Sequence, residues 1–328
     1  MGKHFLTLDF ASTSFQTLNI GYKHVFEPGK LSLGLVVPIE SYPNSPVPTM
    51  DCHLERVQLA ERLGFKAVWI RDVPFYVPSF GDAGQTFDPF VYLGFLAAQT
   101  YSIAIGVAST ILPLRHPAHV AKAAATADVL SQGRLILGVA SGDRPEEFPA
   151  VGVPYDSRSA AFRDSFSYIE EMYANWPRIE NSYGSTKGEA DLLPKPTAGR
   201  IPLLVTGGSQ QDSTWLTQNG DGWMLYPRPA GVQKNVIKSW RAKLEEYERP
   251  NQPVLEPLYV NLTNRPDTPR TAIHLGFRLG AKTLVKYLQE RQEIGVNHVA
   301  INLRFNQADI EGTLHQLAEH VLPEFCPA

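Results

Sequence analysis

What most constrains this chain is an alternation. Eight short apolar runs, at residues 31–37, 67–71, 103–107, 135–139, 203–206, 222–225, 256–262 and 298–303, are each followed by a stretch with the makings of a helix. Most of the runs are continuous aliphatic or β-branched segments, as strands buried on both faces require. The stretch 51–63 carries Leu54, Val57, Leu59, Ala60 and Leu63 and stops at Gly64, a natural residue just past a helix. Asp88-Pro89 supplies an N-cap with proline at the first helical position. Residues 117–130, 159–173, 209–218, 231–248, 281–294 and 307–322 complete the helical set.

Eight strand–helix units in strict alternation point to an α/β protein with a parallel sheet, and eight strands close a (β/α)8 TIM barrel. An open doubly wound sheet shares the alternation but wants a Gly-rich turn after its first strand. Here the first run leads into Pro38-Ile39-Glu40-Ser41-Tyr42-Pro43, with no glycine. Residues 1–30 have no clear period and read as an N-terminal extension to a barrel domain spanning 31–328. Insertions follow strand two (72–87), strand four and its helix (175–200), and strand seven (263–280). Two of the three fall on the carboxyl side of the strands, where barrel enzymes build their pockets.

Composition excludes several classes. Hydrophobic residues make up 43%, enough for a sizeable core, and the formal charge is only −3. No Lys/Arg stripe stands out, so nucleic acid is not an expected partner. Cys52 and Cys326 are the only cysteines, which excludes a disulfide framework and suits a reducing compartment. The first residues lack the layout of a signal peptide, and no apolar run is long enough to span a membrane. A cytoplasmic protein acting on a small molecule is the expectation.

Three strand ends draw attention as candidate chemistry. Gly207, Gly208 and Ser209 follow the fifth run and precede a helix, where free N–H groups and a positive dipole end can receive a phosphate, with Ser209 as the helix cap. An ordinary capped turn explains the same residues. Gly138 to Gly142, with Ala140 and Ser141, and Gly106 to Thr110, with Ala108 and Ser109, put small residues at the barrel mouth. They leave room for a planar ring, or else serve packing alone. Other chemistries lack support. His116 and His119 have no third metal ligand, and His116 before Pro117 reads as a turn and cap. There is no G-x-S-x-G elbow, and Gly184-Ser185-Thr186-Lys187 lacks the earlier glycine of a P-loop. Glu146-Glu147 and Glu245-Glu246 read as solvated carboxylates.

Several motifs together resemble the bacterial-luciferase-like superfamily of flavin- or deazaflavin-dependent barrel oxidoreductases. They are residues 59–69, Asp88-Pro89-Phe90, Leu112-Pro113-Leu114-Arg115-His116-Pro117 and, most specifically, Leu130-Ser131-Gln132-Gly133-Arg134 within 128–142. The resemblance implies a flavin mononucleotide (FMN) site, with a deazaflavin coenzyme as the alternative. The phosphate is expected on Gly207, Gly208 and Ser209, helped by Ser141 and Arg158. The ring is expected over a non-proline cis peptide at Ala108–Ser109 and beside Ala140. The resemblance further implies a monooxygenase using reduced FMN and O2, a flavin reductase as partner, and a homodimer. A deazaflavin-dependent dehydrogenase or a non-catalytic flavin-binding protein are the alternatives. Pocket walls are expected from 40–42, 72–80, 143–155 and 226–228. The chain departs from the resemblance in two places: Arg71-Asp72-Val73-Pro74 stands where relatives carry a histidine, and Ala140 where luciferases carry a reactive cysteine. A proton relay at that place needs Asp72, Arg71 or a group from elsewhere, or else Asp72 merely braces a loop, and no residue is assigned as catalytic acid or base.

Overall fold

The structure, a computed structural model, describes residues 14–325; residues 1–13 of the expected extension and Cys326 lie outside them. A short helix, α1 (Ile20–Val25), leads into β1 (Ser32–Val36), α2 (His53–Arg62), β2 (Ala67–Ile70), α3 (Pro89–Gln99), β3 (Ala104–Ile111), α4 (Pro117–Leu130) and β4 (Leu135–Ala140). Next come α5 (Glu147–Ala150), α6 (Arg158–Glu171), a hairpin of β5 (Arg178–Asn181) and β6 (Gly184–Lys187), then β7 (Leu203–Thr206), α7 (Ser213–Asn219) and β8 (Gly222–Met224). The chain ends with α8 (Ala230–Glu246), β9 (Val254–Thr263), β10 (Thr271–Ile273), β11 (Gly276–Gly280), α9 (Ala281–Glu293), β12 (His298–Asn302) and α10 (Ile310–His320).

Strands β1, β2, β3, β4, β7, β8, β9 and β12 pair in parallel, and β12 returns to β1, so the sheet closes into the expected (β/α)8 barrel. All eight apolar runs became barrel strands. Insertion 263–280 folds into the β10–β11 hairpin. There β11 lies beside Tyr259–Thr263 of β9, above the point where β8 stops pairing at Met224↔Leu255. The seventh strand is thereby extended past the barrel rim.

At α3 and α4 local chemistry starts the helices as read. Asp88 caps α3 by accepting from the Phe90 and Val91 N–H groups (2.9 and 3.1 Å), and His116 Nδ1 accepts from Ala118 N–H (3.2 Å) ahead of Pro117. The Leu-Ser-x-Gly-Arg segment turns out to be structural. Gly133 takes a left-handed turn (φ +83°), and buried Arg134 donates to the carbonyls of Ala97, Thr100, Ile103 and Ser131, closing the C-terminus of α3. That cluster belongs to the amino-terminal end of the barrel.

The described part of the extension closes the barrel floor. Asn19 caps α1 and donates to the Leu135 carbonyl (2.7 Å), while the Tyr22 hydroxyl donates to Asp221 O (2.8 Å). Leu18, Tyr22, Val25 and Phe26 join an interior cluster with Val36, Trp69, Met224 and Leu255. Trp69 stands inside the barrel, and a Cβ at Gly106 would fall 2.5 Å from its ring. Its Nε1–H donates to His298 Nε2 (2.9 Å), which leaves His298 Nδ1 to carry the proton toward Ser32 Oγ (2.6 Å); that hydroxyl in turn donates to Val25 O (2.6 Å). Burial without a counter-charge pushes His298 down to about 3.

This depression has a definite sign. Below an unfolded value near 6.5 the unfolded chain takes up a proton that the folded chain refuses. The His298 contribution is therefore complete above pH 6.5 and is lost as pH falls toward 3. The stability difference between the wild type and His298→Gln is expected to grow with pH across that window, at up to about 1.4 kcal/mol per pH unit. It should then level off. Urea unfolding of both proteins at pH 4.5, 5.5, 6.5 and 7.5 measures it.

Candidate active site

At the carboxyl ends of the strands lies a cavity of about 340 Å³, within the range of about 300–1,000 Å³ typical of small-molecule pockets. It continues into a smaller inner cavity of about 90 Å³, and Arg71, Ala108, Ser109, Thr206 and Tyr226 line both.

Backbone irregularities shape the outer cavity. The Ala108–Ser109 peptide is cis, and β3 slips against β4 between Val107 and Thr110, so these two residues bulge into the mouth. The hydroxyls of Ser109 and Thr206 make a short hydrogen bond across the mouth. At the end of β4, Gly142 has φ +83°, and a Cβ there would sit 2.8 Å from Ile111, so only glycine lets the loop turn under the pocket. The two further glycines flagged at these strand ends serve packing. Gly106 accommodates Trp69, and a Cβ at Gly138 would meet the Val107 carbonyl at 2.4 Å.

Six of the eight residues expected to hold a cofactor come together around this cavity: Ala108, Ser109, Ala140, Ser141, Gly207 and Ser209. Gly208 and Arg158 do not line it. Arg158 lies with its guanidinium 3.7 Å from the Tyr155 ring centroid and donates to the Tyr155 carbonyl (3.0 Å). Its helix is nonetheless tied to the same turn, since Ser159 Oγ donates to Gln210 O (2.9 Å) and Gln211 Nε2 donates to Ser159 O (2.9 Å). Arg158 Nε is buried with no hydrogen-bond partner among the described residues, as is Arg144 Nη1 in the cavity wall. Arg144 Nη1 is charge-balanced by Glu147 at 3.7 Å, so the buried, unpartnered Arg158 Nε near a turn of open backbone is the donor that suits an anionic cofactor tail, and the residues fit a flavin-type phosphate.

The helix expected from 209 begins instead at Ser213. Gly207, Ser209 and Gln210 all have positive φ (+56°, +43° and +60°), which no α-helix tolerates, and Asp212 is the cap, accepting from Trp215 N–H (2.9 Å). Ser209 Oγ donates back to Thr206 O (2.8 Å). Any anion here meets a turn, not a helix end.

The expected walls are partly corrected. Segment 40–42 does not line the cavity. Glu40 is buried and accepts from the Thr49 and Met50 N–H groups (2.9 and 3.0 Å), fixing the loop after β1. From 72–80 only Asp72, Val73 and Phe80 reach the cavity, and from 143–155 only Asp143, Arg144 and Glu147. Tyr226 is in the wall, whereas Arg228 lines a separate cavity of about 520 Å³ beside the β10–β11 hairpin and α9. Glu147 proves buried, not solvated; burial pushes its carboxyl up, with Arg144 opposing.

Asp72 is a brace. Its carboxylate receives Arg115 Nη2 (2.8 Å), Arg115 Nε (3.1 Å) and the Ile111 N–H (3.1 Å), and Arg115 is shared with Asp88 (3.0 Å). Arg71 is the neighbour that faces the cavity. Its Nη1 pairs with Asp82 Oδ2 at 2.5 Å, and Arg304 Nη1 reaches the same oxygen at 3.1 Å. Burial raises Asp82, but Arg71, the Gly84 N–H and Arg304 outweigh it and hold the carboxyl below its ordinary range. Thr206, Tyr259 and Asn302 also line the site without having been singled out, and their only sequence signal was a position at a strand end.

A closed parallel barrel with a small-molecule cavity at its carboxyl face has the layout shared by (β/α)8 enzymes. The chain belongs to the luciferase-like monooxygenase family, whose sequence pattern matches residues 31–325. It is 33% identical over 198 residues to an uncharacterised Mycobacterium tuberculosis protein, covering 55% of this chain and 69% of that one. It is 28% identical over 225 residues to the oxygenase component of the flavin-dependent trigonelline monooxygenase of Acinetobacter baylyi, covering 64% of this chain and 59% of the relative. An F420-dependent hydroxymycolic acid dehydrogenase of M. tuberculosis is 27% identical over 205 residues, 62% of this chain and 54% of the relative. Among solved structures, a monooxygenase from Streptomyces bottropensis superposes with TM-score 0.75 at 18% identity, covering 90% of this chain and 100% of the other. An F420-dependent secondary alcohol dehydrogenase superposes at 0.74, again at 18% identity, covering 90% and 99%.

Replacing Asp72 with Asn separates brace from relay. The variant is expected to lose about 2–3 kcal/mol of stability, the scale of breaking a buried charge pair. The pH profile of turnover should stay in place. A moved profile at unchanged stability would make Asp72 a proton carrier.

Proposed function

We propose that this protein is a flavin-dependent oxidoreductase, a monooxygenase that uses reduced FMN and O2 on a small organic substrate. The observation that carries the reading is the lining of the inner cavity. It contains Arg71, Ser109, Thr206, Tyr226, Tyr259 and Asn302 as polar groups and, among the described residues, no histidine and no carboxylate. A dehydrogenase that draws hydride from an alcohol wants a base to take the hydroxyl proton. An oxygenase asks less of the protein, since a bound flavin supplies the electron and oxygen chemistry. In this reading Ser141, Gly207 and Ser209, with Arg158 and Arg144 nearby, hold the phosphate end. Ala108, Ser109 and Ala140 border the ring, and the side chains orient the substrate and exclude water. A partner reductase delivers the reduced flavin, as the relative that is an oxygenase component suggests.

Titration of the purified protein with FMN and with deazaflavin coenzyme F420, followed by flavin fluorescence, tests the cofactor. Binding of FMN is expected, and Ala140→Phe should weaken it at least tenfold while the melting temperature stays within a few degrees. Tight binding of F420 alone would overturn FMN. Oxidation of reduced FMN no faster than in buffer, with no substrate-dependent product, would leave a non-catalytic flavin-binding protein.

We also propose a homodimer formed through α3, where Val91 and the adjoining Tyr101 are 75% and 88% exposed and Phe95 lies between them. Light scattering is expected to give twice the chain mass, and Val91→Glu to give the monomer.

A further inference from the structure

The inner cavity is chemically lopsided. Its deep end is apolar, formed by Val36, Met224, Leu255 and Ala300, which belong to the barrel-interior cluster around Trp69. Its outer end carries Arg71, the one ionised group in the lining among the described residues. Around that guanidinium the described residues supply donors and few acceptors. Arg304 N–H already occupies Asn302 Oδ1 (3.0 Å), which leaves the Asn302 amide NH2 as the half that faces a ligand. The Tyr226 and Tyr259 hydroxyls make no hydrogen bond to another described residue.

The charge balance is also lopsided. Two guanidinium groups, Arg71 and Arg304, converge on the single carboxylate of Asp82, so the cluster keeps one positive charge in excess. Arg304 lies behind the wall: Nη2 binds the Ser45 and Gly81 carbonyls (3.1 and 2.9 Å), Nε is buried, and the guanidinium lies over Tyr42. The Arg71 guanidinium makes one hydrogen bond, from Nη1, so Nε and Nη2 have no acceptor among the described residues. The uncompensated charge therefore faces the cavity. A planar fork of N–H donors with nearby hydroxyl and amide donors matches a carboxylate.

We propose that the inner cavity binds a small monocarboxylate, its carboxylate on Arg71 and Asn302 and its hydrocarbon body among Val36, Met224, Leu255 and Ala300. This rests on the proposed function insofar as that ligand is the substrate. Arg71 acts as a binding residue in place of the histidine found in relatives, and the pairing with Asp82 holds its guanidinium in position.

The test is isothermal titration of the purified chain, with and without FMN, using butyrate and benzoate against butyramide and benzamide at one pH. Each acid is expected to bind at least tenfold more tightly than its amide. Arg71→Gln should abolish that preference and Arg71→Lys should keep part of it, with thermal melts confirming that both variants fold; if Arg71→Gln does not fold, Asn302→Leu, which is expected to weaken the acids more than the amides, takes its place. Equal binding of acid and amide, no saturable binding of any acid, or a preference that survives in Arg71→Gln overturns the proposal. Loss of FMN affinity in Arg71→Gln, with acid and amide bound alike by the wild type, also overturns it and gives Arg71 to the cofactor. Acid-selective binding by a chain that binds neither FMN nor F420 leaves the proposal standing while the monooxygenase reading falls.

Discussion

The indole of Trp69 inside the barrel is the constraint on which much of the architecture depends. It is fully buried, and a ring of that size in so narrow a space leaves no volume for side chains opposite it. Gly106 on the next strand is the direct consequence, and Gly34 makes the equivalent room for His298. The indole N–H needs a partner in this dry interior, and His298 provides it from β12, two strands away across β1. That bond fixes the imidazole tautomer, orders Ser32 and ties the floor of the barrel to α1 through Val25.

With the floor closed by packing, the carboxyl ends remain the place where a ligand can enter. The slipped register at Ala108–Ser109 borders the mouth on one side, and the left-handed turn at 207–210 borders it on the other. Three acidic groups around this mouth are committed to holding it together. Asp72 clamps Arg115 and the end of β3, Glu40 caps the loop after β1, and Asp82 gathers Arg71 and Arg304. Positive charge thus survives at the inner cavity because two guanidinium groups share the single Asp82 carboxylate.

Much of the fold was readable from the chain, because burial on both faces of a parallel strand leaves a continuous apolar run and the following helix leaves its own spacing. Capping chemistry at Asp88-Pro89 and His116-Pro117 was readable for the same reason: a cap acts within three residues of itself. Where the reading failed, distance or backbone conformation was responsible. Ser209 looked like a helix cap, yet three left-handed residues at 207–210 delay the helix to Asp212. The Leu-Ser-x-Gly-Arg motif was the most specific family signal, and it serves the amino-terminal pole rather than the site.

By itself the sequence determined the eight strand–helix units, hence the barrel, and the strand ends at which small residues gather. Only the tertiary structure decided what the polar residues do there. Adjacent Arg71 and Asp72 have different fates: both border the outer cavity, but only Arg71 reaches the inner one, while Asp72 is locked to Arg115 and the end of β3. The convergence of Arg71 with Asp82 and Arg304, or of Trp69 with His298, depends on the stagger with which the strands close. Periodicity records local burial, and it carries no information about that stagger.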